Sequence, residues 1–133
     1  MKSKTHLSLE QLENEVWSKP NYDSNLVVKC HELRKKAVRD FSIEDLRLMI
    51  GQEIGLKYLM PLAIEELEKN ILAEGDLYEG DLLANVLGEQ TKKYWRNNNS
   101  AWKNIVKLIH LSKDKFSERD YEKIQNKITL INA

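Results

Sequence analysis

A chain of 133 residues, 41% of them hydrophobic and 32% charged, has the length and apolar content to fill one core, and all of 1–133 is read as a single domain. Its 21 Lys and Arg balance 21 Asp and Glu, which excludes a strongly basic or acidic protein, and no apolar run approaches the roughly 20 residues that span a bilayer. The stretch MKSKTHLSLEQLENEVW holds no continuous apolar segment of secretory type, and a lone cysteine, Cys30, allows no internal disulfide, so a cytoplasmic location is expected.

The zero net charge hides a division. Residues 1–90 carry 11 Lys and Arg against 17 Asp and Glu, and residues 91–133 carry 10 against 4. Within the acidic part, residues 65–81 hold seven acids and one base, Lys69. Such asymmetry speaks to fields and partners rather than to fold.

Apolar residues recur at spacings of three and four, and Gly and Pro are few, which predicts an all-α bundle of six or seven short helices. Ser8 and Gln11 have capping-box spacing and open a short first helix. SKPNYDS (18–24) reads as a loop, after which Asp23 or Ser24 caps a helix to about Lys36, with Leu26, Val27, Cys30 and Leu33 inward. Ser42 and Asp45 open the next helix, with Ile43, Leu46, Met49 and Ile50 inward. GQEIG is a turn. In the following helix, 56–70, Leu59, Leu62, Ala63 and Leu67 face the core, and Pro61 places the regular start at about Tyr58. A loop then leads into a helix from Asp81 with Leu82, Leu83, Val86 and Leu87, ended by Gly88. KYWRNNN (93–99) reads as a turn, Ser100 caps a helix on Trp102, Ile105, Val106 and Ile109, and Ser117 opens the last one on Tyr121, Ile124, Ile128 and Ile131.

The loop sequence AEGDLYEGDLL (73–83) carries the densest candidate chemistry. A calcium loop sets oxygen ligands at alternating positions around a central Gly and ends on a bidentate Glu; acids at 74, 76, 79 and 81 do not follow that pattern. A phosphate cradle needs clustered glycines and a following Lys, whereas these carboxylates would repel phosphate. The plain reading is two glycine turns and a helix cap at Asp81, with Leu77 and Leu82 tucked inward. Glu74, Tyr78 and Glu79 then have no structural duty, and a loop fixed by its caps can present them to a partner.

Elsewhere the residues favour structural roles. Cys30 lies in an apolar register and reads as a core thiol. His6, His31 and His110 lack metal-ligand spacing. Glu65 and Glu68 share a helix face that Glu66 leaves, which reads as a solvated face. No Ser-His-Asp set or nucleophile elbow is present. Neither an enzyme activity nor a metal, cofactor or small-molecule ligand is expected. The basic tail interleaves Lys92, Lys93, Arg96, Lys103 and Lys107 with Tyr94, Trp95 and Trp102, a superficial nucleic-acid patch. Trp102 falls on an apolar stripe, and the i,i+3 pairs Arg119 with Glu122 and Asp120 with Lys123 offset charge locally, so a solvated helix face outweighs nucleic-acid binding.

SLEQLE (8–13), Trp17, LVVKCHELRKK (26–36), FSIEDLRLMIGQEIGLKYLMPLAIEELE (41–68) and AEGDLYEGDLLANVL (73–87) together resemble the immunity proteins of bacterial contact-dependent growth inhibition (CDI) systems. The similarity covers about 60% of the chain and fades after Leu87. It implies a cytoplasmic binding protein that neutralises the C-terminal toxin domain of a large exported effector, often a nuclease, by covering or distorting its active site. Surroundings of a nuclease site tend to be basic, so acidic side chains are suited to meet it. Glu65, Glu68, Glu74, Asp76, Tyr78 and Glu79 are accordingly expected as toxin contacts. The alternative is a helical nucleic-acid-binding protein that uses the basic C-terminal region.

Overall fold

Two of the helix starts marked in the sequence are closed by reciprocal capping boxes in the computed structural model, which describes residues 4–18 and 24–133. Ahead of α1 (Leu9–Glu13), Ser8 Oγ accepts from the Gln11 N–H and Gln11 Oε1 accepts from the Ser8 N–H. Ahead of α3 (Ile43–Gly51), Ser42 Oγ and Asp45 Oδ2 exchange the same two bonds at 3.0 Å each. Each box satisfies two N–H groups that a helix start otherwise leaves open. Asp45 is also buried, and Lys36 Nζ reaches its Oδ2 at 2.8 Å. Burial pushes the Asp45 carboxyl up, but the Lys36 ammonium and the Ser42 N–H outweigh it and hold the group below its ordinary value.

Between these helices lies α2 (Asn25–Arg34). Its start follows Ser24, which makes no side-chain cap; Asp23 and the rest of 19–23 lie outside the described residues. Cys30 and Leu33 are buried as expected, and burial pushes the Cys30 thiol up. Leu26, expected inward, is 41% exposed. The inward face of α2 instead includes Arg34, at 1% exposure. Its guanidinium pairs with Glu13, donates to the Glu15 carbonyl at 2.6 Å and sits 4.4 Å from the Trp17 ring centroid. An arginine so held draws the C-terminal half of α2 against α1, and the first turn, with Leu26, is left outside.

The remaining helices are α4 (Leu56–Lys69), α5 (Asp81–Val86), α6 (Lys92–Arg96), α7 (Asn99–Leu111) and α8 (Glu118–Asn132). Eight α-helices are thus present among the described residues, against six or seven expected; part of KYWRNNN forms α6, and the turn is confined to Asn97 and Asn98. Asn98 Nδ2 donates to the Tyr94 carbonyl at 2.7 Å, and α7 begins one residue ahead of the expected Ser100 cap. α4 starts at Leu56 as its expected range 56–70 has it, and it is regular from there rather than from Tyr58, because the Gly55 carbonyl accepts from both the Tyr58 and Leu59 N–H groups and nucleates the turn ahead of Pro61. Ser117 Oγ accepts from the Asp120 N–H and opens α8 as expected.

The core is built around α3, which packs on α4 and α5. Leu46, Met49 and Ile50 meet Leu59, Ala63 and Leu67 of α4 and Leu82, Leu83 and Val86 of α5 in one buried cluster. Leu62, Val106, Tyr121 and Ile124 are half-buried at its edge rather than inside. The C-terminal end of α5 is closed by side chains: the Val86 carbonyl accepts from Thr91 Oγ1 at 2.7 Å and Trp95 Nε1 at 3.0 Å. Gln90 Nε2 reaches the carbonyls of Asn85 and Ile50. Trp95 is 1% exposed and lies 5.1 Å, centroid to centroid, from the Trp102 ring.

The Asp45 arrangement carries a pH signature. Its carboxyl titrates lower in the folded chain than unfolded, so its contribution is complete above the ordinary carboxylate value of about 4 and is lost as pH falls through the folded value. Asp45→Asn is expected to cost about 1–2 kcal/mol at neutral pH and to flatten the acid limb of the stability curve, as read by urea unfolding between neutral and acid pH.

Candidate functional site

Between α4 and α5 the chain makes a loop whose backbone is bonded at nearly every step. The Asn70 carbonyl and Oδ1 accept from Ala73 and Leu72 at 3.0 Å each. The Gly80 N–H donates to the Leu72 carbonyl at 3.2 Å, which closes the loop base. Gly80 holds φ at 90°, a value an L side chain resists, and this turns Asp81 inward as the first residue of α5.

Asp81 was expected to cap α5. Its carboxylate points the other way, back into the loop. Oδ1 accepts from the Gly75 N–H at 2.6 Å, and Oδ2 accepts from Leu77 at 3.0 Å and Tyr78 at 3.3 Å. The side chain is 1% exposed, with Arg47 Nε of α3 3.8 Å from Oδ2. Arg47 in turn makes a two-pronged pair with Glu44, one turn earlier on α3. Glu44 Oε1 also accepts from the Asp76 N–H at 2.8 Å. The bond from Arg47 lowers the Glu44 carboxyl below its ordinary value, and the Asp76 N–H adds to this against the effect of burial. Gly75 is required by proximity: a Cβ there would lie 2.5 Å from Glu44 Oε1 and 3.2 Å from Asp81 Oδ2.

With its backbone held, the loop presents its remaining side chains. Glu74, Asp76, Tyr78 and Glu79 are exposed, Tyr78 by 54%. Leu77, expected to tuck inward with Leu82, is 64% exposed while Leu82 is fully buried. Asp81 accounts for this: with the N–H groups of 75, 77 and 78 drawn to one carboxylate, the Leu77 side chain is left on the outer side of the turn. An exposed Leu77-Tyr78 pair therefore sits among three carboxylates. Nothing in the apolar pattern distinguishes Leu77 from Leu82; the Asp four residues after Leu77 is the one signal for its position.

The other two expected contacts lie on α4. Glu68 is exposed and Glu65 half-buried. Glu65 lines a cavity with Leu12, Val38, Tyr58 and Pro61, whereas Tyr78 and Glu79 line a different one beside α8. Glu65 therefore belongs to a separate part of the surface from the loop tip.

Among the described residues no group of three His, Cys, Asp or Glu is arranged to hold a metal ion; Asp81 and Glu44 are already engaged by backbone N–H groups and Arg47. No helix among them is long and apolar enough to cross a membrane. In the basic segment, Trp95 and Trp102 are buried and Tyr94 half-buried, its phenol raised by burial. The pairs Arg119 with Glu122 and Asp120 with Lys123 do not close into salt bridges among the described residues.

Set against known proteins, residues 11–105 match the family of CDI immunity proteins. The match runs 18 residues past Leu87, where the sequence resemblance was expected to fade, and takes in α6 and half of α7. No curated protein and no solved structure matches the chain.

Two substitutions test the loop's construction. Asp81→Ala leaves three N–H groups without their acceptor and is expected to cost about 2–3 kcal/mol, with amide exchange at Leu77 and Tyr78 rising toward the rate of an open loop. Gly75→Ala is expected to cost about 1–2 kcal/mol, with exchange at Asp76 accelerated because its Glu44 acceptor must shift.

Proposed function

The chain belongs to the CDI immunity proteins, and from that premise we propose that it neutralises its toxin by one-to-one binding in the cytoplasm, with the 73–80 loop as part of the contact. The partner is the C-terminal toxin domain of the effector, and its activity is that of a nuclease. The observation that carries the choice of surface is the combination at the loop tip. Leu77 and Tyr78 are exposed, ringed by Glu74, Asp76 and Glu79, and held on a backbone with little freedom left to lose. Apolar and aromatic side chains at the centre of an interface supply most of its affinity, and surrounding charge supplies rate and register. A loop already ordered before binding gives up less conformational entropy on association.

A basic toxin surface supports the acidic ring in two ways. Opposite charge raises the encounter rate, and the carboxylates take the place of the phosphates that such a surface attracts. Glu68, exposed on α4, extends the acidic field; Glu65, on a separate cavity, is the weakest member of the set.

The nucleic-acid alternative is less well supported. Base stacking on exposed rings gives such proteins much of their affinity, and Trp95 and Trp102 are committed to the core and to hydrogen bonds with Val86 and Asn132.

Calorimetric titration of this chain against the C-terminal domain of its cognate effector, with toxin activity assayed in parallel, tests the proposal. Tight one-to-one binding that abolishes activity is the expected result. Reversing Glu74 and Glu79 to Lys is expected to slow association on the order of tenfold at low salt, with the difference shrinking as salt rises. Tyr78→Ala should act on dissociation, raising it roughly thirtyfold for a side chain worth about 2 kcal/mol. Unaltered kinetics in both variants would remove the loop from the interface.

A further inference from the structure

Beside the acidic loop lies a cleft of about 320 Å³ whose two walls come from the oppositely charged parts of the chain. Its floor is apolar, formed by Leu72, Leu83, Ala84, Phe116 and Ile124. Tyr78 and Glu79 form the loop wall. On the other wall stand Lys115 ahead of α8 and Lys123 and Lys127 on it, with Asp120 as the single carboxylate there. Among the described residues none of these three lysines is in a salt bridge, and neither is Glu79. Lysines at 123 and 127 are one helical turn apart and share a face. The cleft thus offers an apolar seat between Glu79 on one side and three lysines with Asp120 on the other, with no salt bridge closed across it among the described residues.

Resting on the immunity reading above, we infer that this cleft is the second half of the toxin contact: it receives a segment of the toxin domain that places an apolar side chain on the floor, a basic residue toward Glu79 and an acidic residue toward Lys123 and Lys127. Charge complementarity selects this occupant over a uniformly basic surface. A partner with positive charge throughout would satisfy the loop and be repelled by α8, whereas a segment with the two signs in the matching order satisfies both walls. Tyr78 belongs to the loop tip and to the cleft wall alike, so one continuous surface runs from Leu77 across Tyr78 to Phe116 and α8.

The test is titration of the full chain and its variants against the cognate effector's C-terminal domain, with circular dichroism to confirm that each variant keeps its helices. Lys123→Glu with Lys127→Glu is expected to weaken binding by tenfold or more, and Lys123→Arg with Lys127→Arg to retain it. Ala84→Phe, which fills the floor without altering charge, is expected to weaken binding as well. If the wild-type chain binds and the charge reversal and Ala84→Phe both bind equally well, the cleft is not part of the contact and the inference falls while the immunity reading stands. Failure of the wild-type chain to bind would overturn both. A fluorescent single-stranded oligonucleotide serves as the competing probe: if the lysine reversals abolish its binding and leave toxin binding unchanged, the lysine wall serves nucleic acid and the inference is overturned.

Discussion

A buried carboxylate shapes the exposed surface of this protein. Asp81 is 1% exposed, and a carboxylate so placed is costly unless charge and hydrogen bonds compensate it. Its compensation comes from two sources: three backbone N–H groups of the loop, and the guanidinium of Arg47 on the central helix. The loop cannot move off without leaving the charge unpartnered, and Arg47 cannot turn away without leaving Glu44. Residues 74–79 therefore inherit their position from α3, the helix around which the core is built. A surface loop is thereby tied by hydrogen bonds to the interior, with Leu77 and Tyr78 left on its outer side.

Two similar junctions organise the N-terminal half. Arg34 gathers Glu13, the Glu15 carbonyl and the Trp17 ring, and so joins α2 to α1. Lys36 reaches Asp45, itself half of the Ser42 capping box, and so joins the end of α2 to the start of α3. The segments that carried the resemblance to the CDI immunity proteins meet at these junctions: 8–13, Trp17 and 26–36 at Arg34, then 41–68 and 73–87 at Arg47 and Asp81. The motif describes how this fold is held together. Its extension to residue 105 has the same character, because Thr91 and Trp95 close the α5 terminus and Trp102 packs on Trp95.

What could be read from the sequence was what local chemistry decides. Ser8 with Gln11, Ser42 with Asp45 and Ser117 with Asp120 mark helix starts because a cap acts across three residues. The buried stripes of α3, α5 and α7 follow from helical spacing. What could not be read depends on partners distant in sequence. Asp81 looks like a helix cap until Gly80 is known to turn it into the loop. Leu26 fits the stripe of α2, but a guanidinium held by Glu13 and Trp17 decides which side of that helix faces in. Trp95, set among lysines and asparagines, resembles a stacking residue until the open carbonyl of Val86 appears beside its indole N–H. Of the six residues proposed as contacts, the exposure of Glu74, Tyr78 and Glu79 could be read because glycine turns and a cap left them without structural duties. The place of Glu65 could not be read, because acidity does not carry position: it is half-buried on a cavity separate from the loop.

The balanced net charge of the chain matters less than where the balance is struck. At physiological salt the screening length is about 8 Å, so an approaching partner responds to the wall nearest to it and not to the sum. Glu79 of the acidic loop and the lysines of α8 line one cleft, and among the described residues no salt bridge joins them. Folding has thus placed Glu79 across a shared apolar lining from the lysines at and ahead of α8. Such an arrangement discriminates by order of charge. A partner with the signs in the matching sequence gains on both sides, and one with a single sign loses on one side what it gains on the other. In the contact proposed above, a partner would be selected by the order of its charges, without requiring the protein as a whole to be acidic.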